Sequence, residues 1–152
     1  MTDIAIVAAV RTPVGSFRGA FAPLSAVDLG AAVVRSLLER CPLPAAAVDE
    51  LIFGQVLTAG CGQNPARQTA LRAGLPVDTP AVTVNLVCGS GLKAVQQAVQ
   101  AIRCGDAEIV IAGGQESMSN APLSDAWRPR RPAFRPRQPA GQHDSGRPVG
   151  RL

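Results

Sequence analysis

Apolar residues along the first 122 positions alternate between short continuous runs and helix-spaced stripes. Residues 4–10, Ile-Ala-Ile-Val-Ala-Ala-Val, are unbroken and read as a buried first strand, too continuous to be half exposed. Arg11-Thr12-Pro13 ends it, and Gly15 and Gly19 mark a loop. Ser25 is a candidate N-cap with Asp28 three residues on, a capping-box start. Leu29, Ala32, Val33 and Leu37 then form the expected inner stripe of a first helix, which Pro42 stops. Residues 51–57 are a second strand and lead into a loop through Gly60 and Gly62. A short helix follows, with Asn64 as cap, Pro65 at its first position and Gly74 just past its end. Pro76 and Pro80 frame the approach to a third strand at 82–87. Leu92, Val95, Val99 and Ile102 predict the buried stripe of the next helix, which ends near Cys104-Gly105. Residues 108–112 are a fourth strand. This βαβαβαβ order predicts an α/β fold with a mostly parallel sheet, right-handed crossovers and helices on both faces.

The third junction is where chemistry enters. The run Val82-Thr83-Val84-Asn85-Leu86-Val87 ends at Cys88, and helix spacing begins directly after it. Cys88 is thereby placed beside a first helical turn, where unpaired N–H groups and the dipole favour an anion such as a thiolate. Gly89, Ser90 and Gly91 leave room for a substrate carbonyl, and a backbone N–H there can meet a developing oxyanion. Cys88 is the candidate nucleophile. A free cysteine is otherwise a small buried hydrophobe. Gly89-Ser90-Gly91-Leu92-Lys93-Ala94 also fits a dinucleotide fingerprint. The acidic residue which that pattern wants arrives only as Glu116, late and behind a Gly pair.

Composition narrows the field. With 47% hydrophobic and 3% aromatic residues, the core is expected to be built of Val, Ile, Leu and Ala, within one domain. Residues 4–10 are too short to span a bilayer and lack a basic flank, so neither a membrane partner nor a signal peptide is expected. Cysteines 41, 61, 88 and 104 have no C-x-x-C spacing and no partner histidines. A zinc site is therefore not expected, and they read as reduced thiols in a cytoplasm. The net charge of +4 divides unevenly, because residues 123–152 hold seven Arg against two Asp and the rest is nearly neutral.

Asn85-Leu86-Val87-Cys88-Gly89-Ser90-Gly91-Leu92-Lys93-Ala94 resembles the nucleophile motif of the thiolases, the acetyl-CoA acetyltransferases and 3-ketoacyl-CoA thiolases. Three further stretches are similar to that family: Arg11-Thr12-Pro13-Val14-Gly15-Ser16-Phe17-Arg18-Gly19, Gly62-Gln63-Asn64-Pro65-Ala66-Arg67-Gln68, and residues 112–122, Ala-Gly-Gly-Gln-Glu-Ser-Met-Ser-Asn-Ala-Pro. The resemblance implies a thiolase-like fold, of which residues 1–122 would be part of the N-terminal half. It implies acyl transfer through a thioester on Cys88, whose backbone N–H resembles one oxyanion-hole donor. Coenzyme A thioesters would be the substrates, with no bound cofactor or metal. Asn85 and Ser90 are expected to shape the turn. Dimerisation through the neighbourhood of residues 62–68 is implied on the same ground, and the full-length family leads one to expect a homo-oligomer. Condensing enzymes of fatty-acid synthesis, which share the fold, differ around the cysteine.

After Pro122 the likeness to the family motifs stops. Half of the 30 residues at 123–152 are Arg, Pro or Gly, with no helical or strand period, so this stretch is expected to be a disordered basic tail. Its composition is what a GC-rich gene read out of frame yields, which makes a truncated or shifted frame the expected origin. A nucleic-acid partner is not expected, since Trp127 and Phe134 offer little stacking surface. The histidine base, the second catalytic cysteine and the later Asn and Gly motifs of the family have no counterpart here. His143, the one histidine, lies in the tail and is not assigned that role. The chain alone is accordingly expected to show no turnover. The alternative is a non-catalytic fragment that docks on an intact thiolase or binds anionic polymers through its tail.

Overall fold

Three short parallel strands and three helices make up the computed structural model of the chain, which describes residues 3–41 and 43–122. In chain order they are α1 (Ala26–Arg40), β1 (Glu50–Gly54), α2 (Pro65–Ala73), β2 (Ala81–Val84), α3 (Ser90–Cys104) and β3 (Val110–Gly114). Single 3-10 turns occur at Ala45–Ala47 and Met118–Asn120. The strand order is β2-β1-β3 with both pairings parallel, and Ile52 lies opposite Val82 on one side and Ala112 on the other.

The period-two alternation of β1 sends its residues to two separate cores. Leu51 and Phe53 join Ala31, Val34, Ala66, Ala70 and Ile111 beneath α1 and α2. Ile52 faces the other way and packs on Ala94 and Ala98 of α3, with Val84, Val110 and Ala112 around it. Helices thus cover both faces.

Local chemistry sets the helix ends. The Ser25 hydroxyl accepts the Asp28 N–H at 3.1 Å, and the Asp28 carboxylate accepts the Ser25 N–H at 3.0 Å, a closed capping box. Asn64 caps α2 by accepting the Arg67 N–H at 3.2 Å, with Pro65 in its first turn. Gly74 and Gly105 close α2 and α3 at φ of 94° and 80°, backbone that a side chain resists.

Three sequence expectations need correction. Residues 4–10 do not form the first strand. A run apolar on both faces needs a neighbouring strand and cover on each side. Among the described residues no strand pairs with it, and Ile6 and Val7 are 82% and 75% exposed. Both helical stripes are also rotated. In α1 the buried residues are Ala26, Val27, Gly30, Ala31 and Val34. In α3 they are Ser90, Ala94 and Ala98, while Leu92 is 77% exposed. Large apolar residues dominate a hydropathy stripe, but close approach between layers selects the smallest side chains. Finally, the remaining strands are shifted or shortened by a few residues, because pairing stops where the chain turns into its loops. The tail expectations, including disorder and the place of His143, fall outside the described residues.

Close approach is sharpest at Gly54. A Cβ there would lie 2.5 to 2.7 Å from the Ser90 carbonyl carbon and Cβ and the Gly91 nitrogen, so β1 ends in direct backbone contact with the start of α3. On the sheet beside it, a Cβ at Gly114 would be 3.0 Å from the Gly54 oxygen. Replacing Gly54 by Ala forces α3 away from the sheet. The expected loss is about 1–3 kcal/mol, read as a lower denaturation midpoint in urea. An unchanged midpoint would contradict this packing.

Charge adds a second check. Asp28 titrates below its ordinary value of 3.8, held chiefly by Ser25 and then by Arg72. Asp49 is lowered too, because one carboxylate oxygen accepts the N–H groups of Ile109 and Glu108 at 2.9 and 2.7 Å. Burial, with the nearby Asp106 charge, raises Glu50 above 4.5. Depressed carboxylates contribute stability that is complete above the unfolded value and lost as pH falls through the folded one. Glu50 acts oppositely, its contribution being present below its unfolded value and lost as pH rises through the folded one. With two against one, Tm should fall on acidification below the ordinary carboxylate value, and less steeply in Asp49→Asn. Parallel Tm–pH curves for the two proteins would contradict the Asp49 contacts.

Candidate active site

The carboxyl ends of the three parallel strands converge on one cleft of about 300 Å³. From the end of β1 and the residues after it come Gly54, Gln55 and Val56; from the end of β3 and beyond, Gly114, Gln115 and Glu116; and from the turn after β2, Val87 and Cys88. Ser90 and Gly91 of α3 complete the lining. Ligands of open parallel sheets bind at this end of the strands.

Cys88 is exposed and stands two residues ahead of α3, with Gly89 as the N-cap residue. Gly89 brings no side chain to the cap, so no side-chain oxygen occupies the helix's first N–H groups. This end of a 15-residue helix favours negative charge. The turn that carries the cysteine is tied on both sides. Asn85 Oδ1 accepts the Val87 N–H at 2.9 Å. Ser90 Oγ accepts the Leu86 N–H at 2.9 Å and donates to the Val87 carbonyl at 2.6 Å. The Gly89 and Ser90 N–H groups go to the Leu86 and Val87 carbonyls at 3.0 and 3.1 Å. Between these ties Val87 has φ of 50°, a left-handed conformation costly for a β-branched residue. The strain lies one residue before the sulfur.

The other thiols are placed differently. Cys104 is exposed at the far end of α3, while Cys41 and Cys61 are half-buried. Cys61 lies against Gln55, whose amide Nε2 is 3.3 Å from its sulfur. Gln55, only 1% exposed, accepts from Gln115 Nε2 at 2.9 Å, and Gln115 Oε1 accepts the Thr69 hydroxyl at 2.6 Å. This chain of amides links α2, β1 and β3 beneath the cleft. Hydrogen-bonded buried amides of this kind hold neighbouring elements in fixed register.

Glu116 enters the cleft in a way that the sequence pattern did not reveal. Its carboxylate accepts the N–H of Val56 at 2.8 Å and of Leu57 at 3.2 Å. Both oxygens are thereby engaged with the main chain, which disfavours the ribose-binding task of a dinucleotide site. The available signal was positional: Gln55, Gln115 and Glu116 are the polar residues directly after apolar strands. Among the described residues no group of three or more His, Cys, Asp or Glu side chains is placed to hold a metal ion. Nor is any helix among them long and apolar enough to cross a membrane.

A thiolase N-terminal domain model matches residues 4–143. An acetyl-CoA acetyltransferase of Pseudomonas aeruginosa is 66% identical over 122 residues, covering 80% of this chain and 31% of the relative. A probable acetyl-CoA acetyltransferase of Escherichia coli is 65% identical over the same length. The crystal structure of a thiolase from Ascaris suum in complex with coenzyme A superposes with a TM-score of 0.72 at 47% identity, covering 74% of this chain and 30% of that one. The chain therefore spans about 31% of the length of the curated relatives it matches. On sequence and fold together, the chain belongs to the thiolase family.

Proposed function

We propose that this chain is the nucleophile-bearing segment of a thiolase-type acyltransferase, with Cys88 as the residue that takes up the acyl group. The observation that carries the reading is the exposed Cys88, held in a strained turn just ahead of α3 and lining the cleft. In the proposed step the Cys88 thiolate attacks the carbonyl carbon of an acyl-CoA thioester. A carbon–sulfur bond forms to the enzyme, the bond to coenzyme A breaks, and the departing thiolate takes a proton to leave as free coenzyme A. In this reading the developing oxyanion is met by the Cys88 backbone N–H. Transfer of the acyl group to a second acyl-CoA gives condensation, and the reverse direction gives thiolysis of a 3-ketoacyl-CoA.

The coenzyme A of the Ascaris suum structure supports coenzyme A thioesters as substrates. Reduced thiols at all four cysteines suit a cytoplasmic setting. Assembly into a homo-oligomer and a domain boundary after Pro122 belong to the same proposal.

A second reading is favoured by one feature. Leu86, Val87 and Leu92, all within four residues of Cys88 in the sequence, are exposed apolar residues, a feature suited to docking on a full-length thiolase. Co-elution of this chain with such an enzyme on size exclusion would support it. Separate elution at equal concentrations would count against it.

Incubation with acetyl-CoA and mass analysis of tryptic peptides should place one acetyl group on Cys88, and none in Cys88→Ala. Sustained turnover is a separate matter, because removing members of a cooperative catalytic set costs several orders of magnitude in rate. Cleavage of acetoacetyl-CoA by the 152-residue chain should therefore be undetectable in a standard coupled assay. Acetylation at another cysteine, or at none, would overturn the assignment of Cys88. Turnover at an ordinary enzymatic rate would overturn the expectation that the chain is catalytically incomplete.

A further inference from the structure

We infer that Glu116 is a positioning residue for Cys88, acting through the main chain at the end of β1. The inference rests on the reading of Cys88 as the nucleophile and adds the residue that holds its turn. Glu116 lines the same cleft as Cys88 but spends its carboxylate on the consecutive N–H groups of Val56 and Leu57. Charge-assisted bonds of this kind are roughly twice as strong as neutral ones, so the Val56–Leu57 segment is clamped in place. Just beyond the strand, the same segment supports the cysteine turn. Gln55 N–H donates to the Val84 carbonyl at 3.0 Å, and the Val56 carbonyl accepts from Asn85 Nδ2 at 3.4 Å. Asn85 in turn takes the Val87 N–H through its Oδ1.

A continuous path thus runs from the Glu116 carboxylate through the Val56 peptide and the Asn85 amide to the strained Val87, one residue from the sulfur. Val87 gains nothing locally from φ of 50°, so its conformation must be imposed by surrounding bonds. Ser90 supplies one such restraint from the helix side, and Asn85, steadied by Glu116, supplies the other. Releasing the clamp should let the turn relax and withdraw Cys88 from the helix start.

Charge and position predict opposite outcomes, which makes the test sharp. A carboxylate in the cleft disfavours a neighbouring thiolate, so removing it as a mere charge would speed alkylation of Cys88. Removing it as a clamp would slow that reaction. The experiment is iodoacetamide labelling of the folded chain, resolved by peptide mass analysis, with Cys104 as internal control. In Glu116→Ala the Cys88 rate should fall about fivefold or more, the worth of one net hydrogen bond, with Cys104 unchanged. Glu116→Gln keeps one acceptor and should fall between wild type and Ala. It also carries the test should Glu116→Ala lose its circular-dichroism signature. Combining Glu116→Ala with Asn85→Ala should slow Cys88 no further than the stronger single change, since both lie on one path.

A Cys88 rate that is unchanged or faster in the Glu116 variants overturns the inference, as do fully multiplicative effects in the double variant. Should Cys88 take an acetyl group from acetyl-CoA yet ignore Glu116, only this inference fails. Should it take none while its alkylation still depends on Glu116, the positioning stands and the acyl-transfer reading falls.

Discussion

Everything at the cleft depends on the absence of a side chain at Gly54. The end of β1 touches the backbone of Ser90 and Gly91, so the first turn of α3 rests directly on the sheet. A Cβ at Gly114 of β3 would lie 3.0 Å from the Gly54 oxygen and 3.6 Å from the Gly91 Cα, a looser approach. A helix seated over the carboxyl ends of parallel strands directs its unpaired N–H groups toward the loops that leave those strands. The connection from β2 to α3 is short, and it must turn sharply to reach a helix held so low. Val87 in the left-handed region is the local consequence. The sulfur then stands exposed at the mouth of the cleft.

Polar residues at the other strand ends hold this arrangement rather than compete with it. Gln55 and Gln115 are buried, Gln115 donates to Gln55, and the Thr69 hydroxyl donates to Gln115, extending the network to α2. No buried side-chain polar atom among the described residues lacks a partner. Such a network fixes the relative position of three elements, since breaking any one bond would strand the others without water. Stability and site geometry are served by the same contacts here.

Much of this was legible in the residues. The capping box at Ser25 and Asp28, the Asn64-Pro65 start and Gly74 end of α2, and the parallel α/β order all followed from local rules. The four thiolase-like motifs likewise led to the family. Less legible was which face of each helix would be buried. Leu92 dominates the apolar stripe of α3, yet the sheet is met by Ala94 and Ala98, because only small residues permit so close a contact. The run at residues 4–10 reads as a strand because its composition is that of one, but strand formation requires a pairing edge and cover on both faces. Among the described residues it has neither. Glu116 was noticed only as a late acidic residue, since its bonds to Val56 and Leu57 bridge some sixty positions that no short pattern connects.

We propose that the seating of α3 makes Cys88 a distinctive thiol, and the molecule contains its own reference. Cys88 and Cys104 are both exposed and stand near opposite ends of the same helix, where the dipole acts with opposite sign. The most direct measurement is the pair of alkylation rate constants at these two positions in one folded sample at neutral pH and low salt. Cys88 should react faster by about three- to thirtyfold, from opposite end effects of ~0.3–1 kcal/mol each. Equal rates, or a faster Cys104, would contradict it.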